Sequence, residues 1–127
     1  DGVMECRAAN VFDLLPELEK APKSYDFIIL DPPAFTKSRK TIDSAMTGYK
    51  EINYRAMKLL PRGGYLATCS CSHFASTERF IAMLRSAAHD AGVQLRQIEQ
   101  RQQSCDHPIL WGVEETDYLK FFLFQVV

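Results

Sequence analysis

The residue with the clearest chemical potential is Asp31, in the segment Phe27-Ile-Ile-Leu-Asp-Pro-Pro-Ala-Phe35. An uninterrupted apolar run that ends at turn residues is typical of a parallel strand buried on both faces. The two prolines end the strand, because proline donates no backbone hydrogen bond and disfavours helix in the preceding residue. Asp31 is therefore predicted at the carboxyl end of a central strand, where open α/β sheets bind ligands. A strand that merely ends in a turn is the plainer alternative.

Cysteine is the second chemically versatile residue type, and the chain has four: Cys6, Cys69, Cys71 and Cys105. No pair has the CxxC spacing of a zinc site, so no metal is expected, and a reduced, cytoplasmic setting is the default. Cys69 and Cys71 are two residues apart, which on an extended strand directs both side chains to the same face. Cysteines within strands are commonly small buried apolar residues, which is the alternative to a chemical role.

Composition and charge indicate one soluble domain of 127 residues, 46% hydrophobic and 24% charged, with a net charge of −1. No apolar run approaches the ~18 residues of a membrane span and no signal peptide is recognisable, so no membrane partner is expected. Residues 37–62 carry seven basic side chains against two acidic ones. This local surplus could hold phosphates, and a solvated helix face explains it equally well.

Alternating strand and helix patterns predict an α/β fold with a mostly parallel sheet. Strands are predicted at residues 3–6, 25–30, 65–71, 93–100 (as an exposed edge) and 118–127 (closing the sheet antiparallel). Helices are predicted at residues 10–18, 49–60 and about 80–88, with glycines near position 63 and at Gly92 free to adopt the left-handed conformation at helix ends. Residues 21–24 read as a polar connection and residues 36–48 as a mobile loop over the site. No GxGxxG is present, so either no nucleotide-like cofactor binds or the chain begins after that element.

Several segments together resemble one family. They are Asp31-Pro-Pro-Ala-Phe35, Gly48-Tyr-Lys-Glu-Ile-Asn53, Gly63-Gly64, Thr68-Cys-Ser-Cys-Ser72, Asp106-His-Pro108 and Tyr118-Leu-Lys120. In this order they are similar to the catalytic half of bacterial 23S ribosomal RNA cytosine-5 methyltransferases, which are class I S-adenosylmethionine (SAM)-dependent enzymes. The resemblance implies a Rossmann-like sheet, truncated so that residues 1–127 supply its third strand onward. The family's first two strands, glycine-rich turn and amino-terminal RNA-binding domain have no counterpart here.

The resemblance also implies roles for particular residues. Cys71 would be the nucleophile that adds to carbon 6 of cytosine, with Cys69 in reserve and expected to serve in packing. Asp31 would bond to the N3 edge of the pyrimidine and lie beside Cys71 at the cofactor face. The expected cofactor contacts are Asn10, Val11, Asp31 and Pro32, although Asn10 fits a plain helix cap equally well. The expected substrate contacts are Pro33, Phe35, Lys37, Arg39, Lys40, Lys50, Asp106 and His107.

Within this assignment, Phe35 would stack on the target base, and Lys37, Arg39, Lys40 and Lys50 are candidate phosphate contacts. Some related enzymes release their product with a second cysteine after the prolines, where this chain has Ala34. Removal of the carbon 5 proton therefore needs another base, for which Asp106 and His107 are candidates, although a structural turn at His107-Pro108 is slightly favoured.

Two other functions are compatible with the same residues. An Asp-Pro-Pro-aromatic turn can grip an exocyclic amine, which would make the protein an amino-group methyltransferase of nucleic acid that needs no thiol. A half-domain could instead act only in binding or assembly. Without the first two strands, the edge of the predicted central strand would be open to another chain, so a homodimer or the missing amino-terminal part of the same protein is a possible partner.

Overall fold

The computed structural model describes residues 4–20, 25–35 and 38–127, with the side chain of Arg39 excluded. Its helices are α1 (Val11–Lys20), α2 (Ile42–Leu59) and α3 (Thr77–Ala91), and its strands are β1 (Phe27–Leu30), β2 (Tyr65–Ser70), β3 (Leu95–Arg101) and β4 (Lys120–Val126). Two short 3-10 helices cover Arg39–Thr41 and Glu114–Thr116. None of the described helices is long and apolar enough to cross a membrane.

The four strands form one sheet in the order β1-β2-β4-β3. β1 and β2 are parallel, with Leu30 opposite Thr68. β4 runs antiparallel to both β2 and β3, so β1, β2 and β3 all point one way. This confirms the predicted α/β fold with an antiparallel carboxyl-terminal strand, and it confirms β3 as an edge strand of the described sheet.

The helices cover one face of this sheet. Alternate residues of β2 and β4, such as Leu66 and Phe122, are buried against α2 and α3, with Phe80 of α3 in contact with the Phe122 ring. The period-2 alternation of β4 is that of a strand with one buried face. On the opposite face Phe27 and Ile29 are 51% and 70% exposed, and no described helix lies over them.

The prediction that β1 is buried on both faces is therefore wrong for the described residues, and β1 lies at the sheet edge that the sequence predicted to be open without the first two strands. Within the described residues β1 pairs only with β2, and its burial alternates along Phe27–Leu30. Its four consecutive apolar residues fit burial on both sides, but the described helices supply a covering layer on one side only. The predicted strand at residues 3–6 is also wrong in its described part, since residues 4–10 form no regular secondary structure and have no strand partner.

The predicted loop at residues 36–48 is wrong over its second half, because α2 already begins at Ile42. Ile42, Ala45, Met46 and Tyr49 form a helical stripe that belongs to the core or packs against it. The polar residues between them face outward, and they make the helical spacing of the apolar residues hard to recognise in the sequence. Thr36 and Lys37, and the predicted connection at residues 21–24, lie outside the described residues.

Two helix-to-strand turns use glycine as predicted. Gly63 has φ +88° in the turn between α2 and β2, and its amide donates to the Val126 carbonyl. Gly92 has φ +70° and ends α3, where its amide bonds back to the helix. Leu60, the C-cap residue of α2, has an extended backbone because Pro61 follows it.

Candidate functional site

The carboxylate of Asp31 lies next to a cysteine sulfur. The parallel register of β1 and β2 places Asp31, one residue past β1, beside Cys69, the second-last residue of β2. The Cys69 thiol is 3.3 Å from Asp31 Oδ1 and 3.4 Å from the Leu30 carbonyl oxygen. The predicted meeting of a sulfur with this carboxylate therefore occurs, but the sulfur that the structure brings there belongs to Cys69 and not to Cys71.

The environment of Cys69 keeps its sulfur protonated. Burial raises the pKa of the Cys69 thiol to about 12, and the hydrogen bond to Asp31 and the negative charge of that carboxylate act in the same direction. Since the thiolate is the nucleophilic form of cysteine, Cys69 is a poor nucleophile near neutral pH.

Cys71 occupies a different environment, one residue beyond the end of β2, and its side chain is exposed. The serines on either side of it are buried and bonded to one another, with the Ser72 amide 3.3 Å from Ser70 Oγ. The ammonium group of Lys120 donates to the Ser72 carbonyl. An exposed thiol is thus presented by a short backbone turn that is held on both sides.

Lys120 is a buried cation beside this turn, in register with Ser70 on β2. Burial lowers the pKa of Lys120 to about 8, while Asp117 and Cys71 act to raise it. The sequence placed Lys120 in the segment Tyr118-Leu-Lys120, which resembles the family, but gave the residue no role. A lysine in an aromatic strand gives no sign in the sequence that it is buried. Tyr49 was likewise given no role by the sequence.

Asp31 also lines a cavity of about 480 Å³. All four predicted cofactor contacts line this cavity, and so do Pro33 and Phe35, which were predicted to contact the base. The full lining is Asn10, Val11, Phe12, Ile29, Leu30, Asp31, Pro32, Pro33, Phe35 and Ile52. Its size suits a small organic molecule, and its walls are mostly apolar with a few polar groups, as ligand sites usually are.

Asn10 both caps a helix and lines the cavity. Its side-chain oxygen accepts a hydrogen bond from the Phe12 amide at 2.9 Å, which caps α1, and the residue also lines the cavity. Phe35, on the opposite wall, packs edge-on against Tyr49 with ring centroids 4.7 Å apart and lies 5.9 Å from Phe12. The aromatic wall of the cavity is thereby fixed by the hydrophobic core.

The structure describes the side chains of two of the four predicted phosphate contacts, Lys40 and Lys50. Lys37 and the side chain of Arg39 lie outside the described residues, and Lys40 is exposed. Lys50 forms an ion pair of 2.7 Å with Asp90 near the end of α3. Arg55, also part of the basic segment, bonds to Glu19 and Glu51, which links α2 to α1. Both side chains are therefore paired with acidic residues.

Asp106 and His107 form a turn of their own in the connection between β3 and β4. The His107 amide donates to the Ser104 carbonyl, and its Nδ1 lies 3.2 Å from Asp106 Oδ1. The Ser104 hydroxyl and His107 lower the pKa of Asp106. Both side chains are exposed, and these contacts are all within the turn, as the structural alternative predicted.

Comparison with known proteins identifies relatives. No protein-family profile matches the chain. The ribosomal RNA large subunit methyltransferase I of Erwinia tasmaniensis is 41% identical over 118 residues, which is 93% of this chain and 30% of that protein. The protein of the same name from Shewanella frigidimarina is 41% identical over 126 residues, or 99% of this chain and 32% of that protein. The chain thus spans about a third of the length of these curated relatives.

Solved structures share the fold. A candidate SAM-dependent methyltransferase from Streptococcus mutans has a TM-score of 0.76 and 20% identity, covering 93% of this chain and 30% of that one. The N-methyltransferase NodS of Bradyrhizobium japonicum, in complex with S-adenosyl-L-homocysteine, has a TM-score of 0.55 and 14% identity over 94% of this chain and 53% of its own. At these identities the likeness concerns the fold alone. Over the residues that match, the chain is similar to the ribosomal RNA large subunit methyltransferase I proteins, and it has the fold of class I methyltransferases.

Proposed function

We propose that this chain is the carboxyl-terminal catalytic part of a SAM-dependent RNA methyltransferase that forms 5-methylcytosine in 23S ribosomal RNA. The observation that carries the proposal is the relation of about 40% identity, over 93% of the chain, to proteins named for methylation of the large ribosomal subunit RNA. The cavity at Asp31, with an exposed thiol on the next strand, supports it. A protein that modifies ribosomal RNA acts where ribosomes are, so a cytoplasmic location is part of the proposal.

SAM supplies an electrophilic methyl group on sulfonium when it is bound. Asn10, Val11, Asp31 and Pro32 would hold it in the cavity that they line. Since the chain covers about a third of its relatives, these residues are proposed as one part of the pocket.

Cys71 is the nucleophile in this proposal. Its thiolate forms a bond to carbon 6 of cytosine, which makes carbon 5 electron-rich enough to take the methyl group as the methyl–sulfur bond breaks. Asp31 supports proton gain at N3 during this addition, and Pro33 and Phe35 hold the base. A base then removes the carbon 5 proton, for which Asp106 and His107 are the candidates. The carbon–sulfur bond breaks to return the thiolate as N3 gives its proton back to Asp31.

The assignment of Cys71 over Cys69 follows from their surroundings. Cys69 donates its proton to Asp31 and has a pKa of about 12, whereas Cys71 is exposed beyond the end of β2. In this arrangement Cys69 orients the Asp31 carboxylate, so its role is more specific than the packing that the sequence predicted.

The test is covalent trapping on RNA that contains 5-fluorocytosine, in a full-length protein that carries these 127 residues. Fluorine at carbon 5 cannot leave as a proton does, so the adduct accumulates. We expect Cys71→Ala to abolish the adduct and Cys69→Ala to retain it. The reverse result assigns the nucleophile to Cys69, and methyl transfer without any adduct favours an amino-group methyltransferase.

Calorimetry with SAM on the 127-residue chain tests the remaining alternatives. Weak binding agrees with an incomplete pocket, and tight binding contradicts it. No methyl transfer by the full-length protein would leave a role in assembly. The homodimer stays a proposal, supported by the edge position of β1 and its exposed Ile29, and sedimentation of the chain over a range of concentrations tests it.

A further inference from the structure

One phenol hydroxyl connects the two turns that carry the site. Tyr49 of α2 is fully buried, and its hydroxyl oxygen accepts hydrogen bonds from the Phe35 amide at 3.4 Å and from Ser70 Oγ at 3.1 Å. Phe35 ends the turn that begins at Asp31, and Ser70 precedes Cys71. A single oxygen atom therefore touches both segments.

The connection continues around Cys71. Ser70 Oγ accepts the Ser72 amide at 3.3 Å, and the Ser72 carbonyl accepts the Lys120 ammonium. The backbone on both sides of Cys71 is thus tied, through Ser70, to the Tyr49 hydroxyl. Such a chain of bonds in a buried setting is rigid, because each polar group there would lose its partner if the chain opened.

Tyr49 is itself held firmly in place. Its carbonyl accepts the Asn53 side-chain amide at 2.8 Å, and Asn53 accepts the Thr68 hydroxyl of β2 at 2.7 Å. Its ring packs against Phe35 and Phe80. Because both the ring and the backbone around it are fixed, the position of the hydroxyl is set by the core and not by the site.

We propose that Tyr49 is a positioning residue that fixes the Asp31–Phe35 turn relative to the Cys71 turn. This inference rests on the proposed function, because its catalytic consequence is the distance between the base-binding turn and the nucleophile. Tyr49 acts through Ser70 and the Phe35 amide and does not touch the substrate. A displacement of one turn relative to the other by a fraction of an ångström is enough to slow a covalent addition.

The structural part is tested by amide hydrogen exchange on the 127-residue chain. Tyr49→Phe removes the hydroxyl and keeps the ring. We expect exchange of the Phe35 and Ser72 amides to accelerate about tenfold, as the loss of one hydrogen bond predicts, while the Phe122 amide in the centre of the sheet changes less. The matched control is Tyr54→Phe on the same helix, whose partly exposed ring should change neither amide. Unchanged Phe35 and Ser72 amides, or an equal rise at all amides, would overturn the proposal.

The functional part uses adduct formation on 5-fluorocytosine RNA. Tyr49→Phe and Ser70→Ala should each slow it at least tenfold with SAM affinity unchanged within twofold, and the double variant should be no slower than the slower single one. Multiplied effects would show that the two residues act independently and would reject the coupling. If the unsubstituted protein forms no adduct, the proposed function fails while the exchange experiment still decides the role of Tyr49.

Discussion

The Cys69 thiol donates to the carboxylate of Asp31 across 3.3 Å, which joins the ends of two parallel strands. The contact places the Cys69 proton against Asp31, the carboxylate that both the cytosine and the amino-group hypotheses use. It also separates the two cysteines of the Cys-Ser-Cys segment into one that is bonded and partly buried and one that is exposed.

Alkylation rates should therefore differ sharply between the two cysteines. A thiol with a pKa of about 12 is only about 10⁻⁴ thiolate at pH 8, whereas an ordinary cysteine is roughly a quarter thiolate. We expect iodoacetamide to modify Cys69 ~10³ times more slowly than the exposed Cys6 and Cys105, with each site resolved by mass spectrometry. The Cys69 rate should rise about tenfold per pH unit up to about pH 11.

The variant Asp31→Asn separates the causes of this protection. Loss of the carboxylate charge should accelerate modification of Cys69, but it should remain slower than that of Cys105 because burial is the larger cause. Equal rates at Cys69 and Cys105 in the unsubstituted chain would contradict the assigned hydrogen bond. In denaturant all four cysteines should react alike, which controls for intrinsic differences.

The sequence predicted the elements with strong local signals and missed those that depend on a neighbour. Gly92 and the apolar-aromatic run of β4 carry their conformation in local chemistry, and the predicted helix end and antiparallel strand are both confirmed. Exposure of Ile29 depends on what lies over the sheet, which an apolar run does not record. The start of α2 was missed because few apolar residues mark its first turns.

For the candidate site, the sequence predicted Cys71 beside Asp31, whereas the hydrogen bond of Asp31 that the structure describes comes from Cys69. Strand register decides whether Cys69 or Cys71 lies opposite a given residue, and a shift of one or two residues is invisible in a pattern of alternating side chains. Long side chains from distant strands, such as that of Lys120, enter the site by topology alone.

The lowered pKa of Lys120 predicts how stability depends on pH. The folded chain releases this proton near pH 8 and the unfolded chain near 10.5, so the unfolded chain binds more protons between these values and stability rises with pH there. The rise is at most about 1.4 kcal/mol per pH unit. Cys69 opposes it above pH 9, since its raised pKa makes the folded chain bind more protons between pH 9 and about 12.

The difference between variants isolates Lys120 from Cys69. We expect the unfolding free energy of the unsubstituted chain, minus that of Lys120→Met, to increase from pH 7.5 to pH 10 in urea titrations. Lys58→Met, which replaces an exposed lysine of α2, is the matched control for the loss of a lysine side chain. A constant difference for Lys120→Met would show that its ammonium is solvated and would contradict the burial that the structure gives it.

Phe80 of α3 and Phe27 of β1, which lie on opposite sides of the sheet, should differ in their contribution to stability. Phe80 is fully buried between Tyr49 and Phe122, so Phe80→Ala leaves a cavity and should cost about 3–5 kcal/mol. Phe27 is half exposed and stacks on Tyr65, so Phe27→Ala should cost about 1 kcal/mol or less. Denaturant titration of both variants measures these costs. A comparable loss for Phe27→Ala would mean that another surface covers this face of the sheet in solution, and sedimentation of the same sample would then show whether a second copy of the chain provides it.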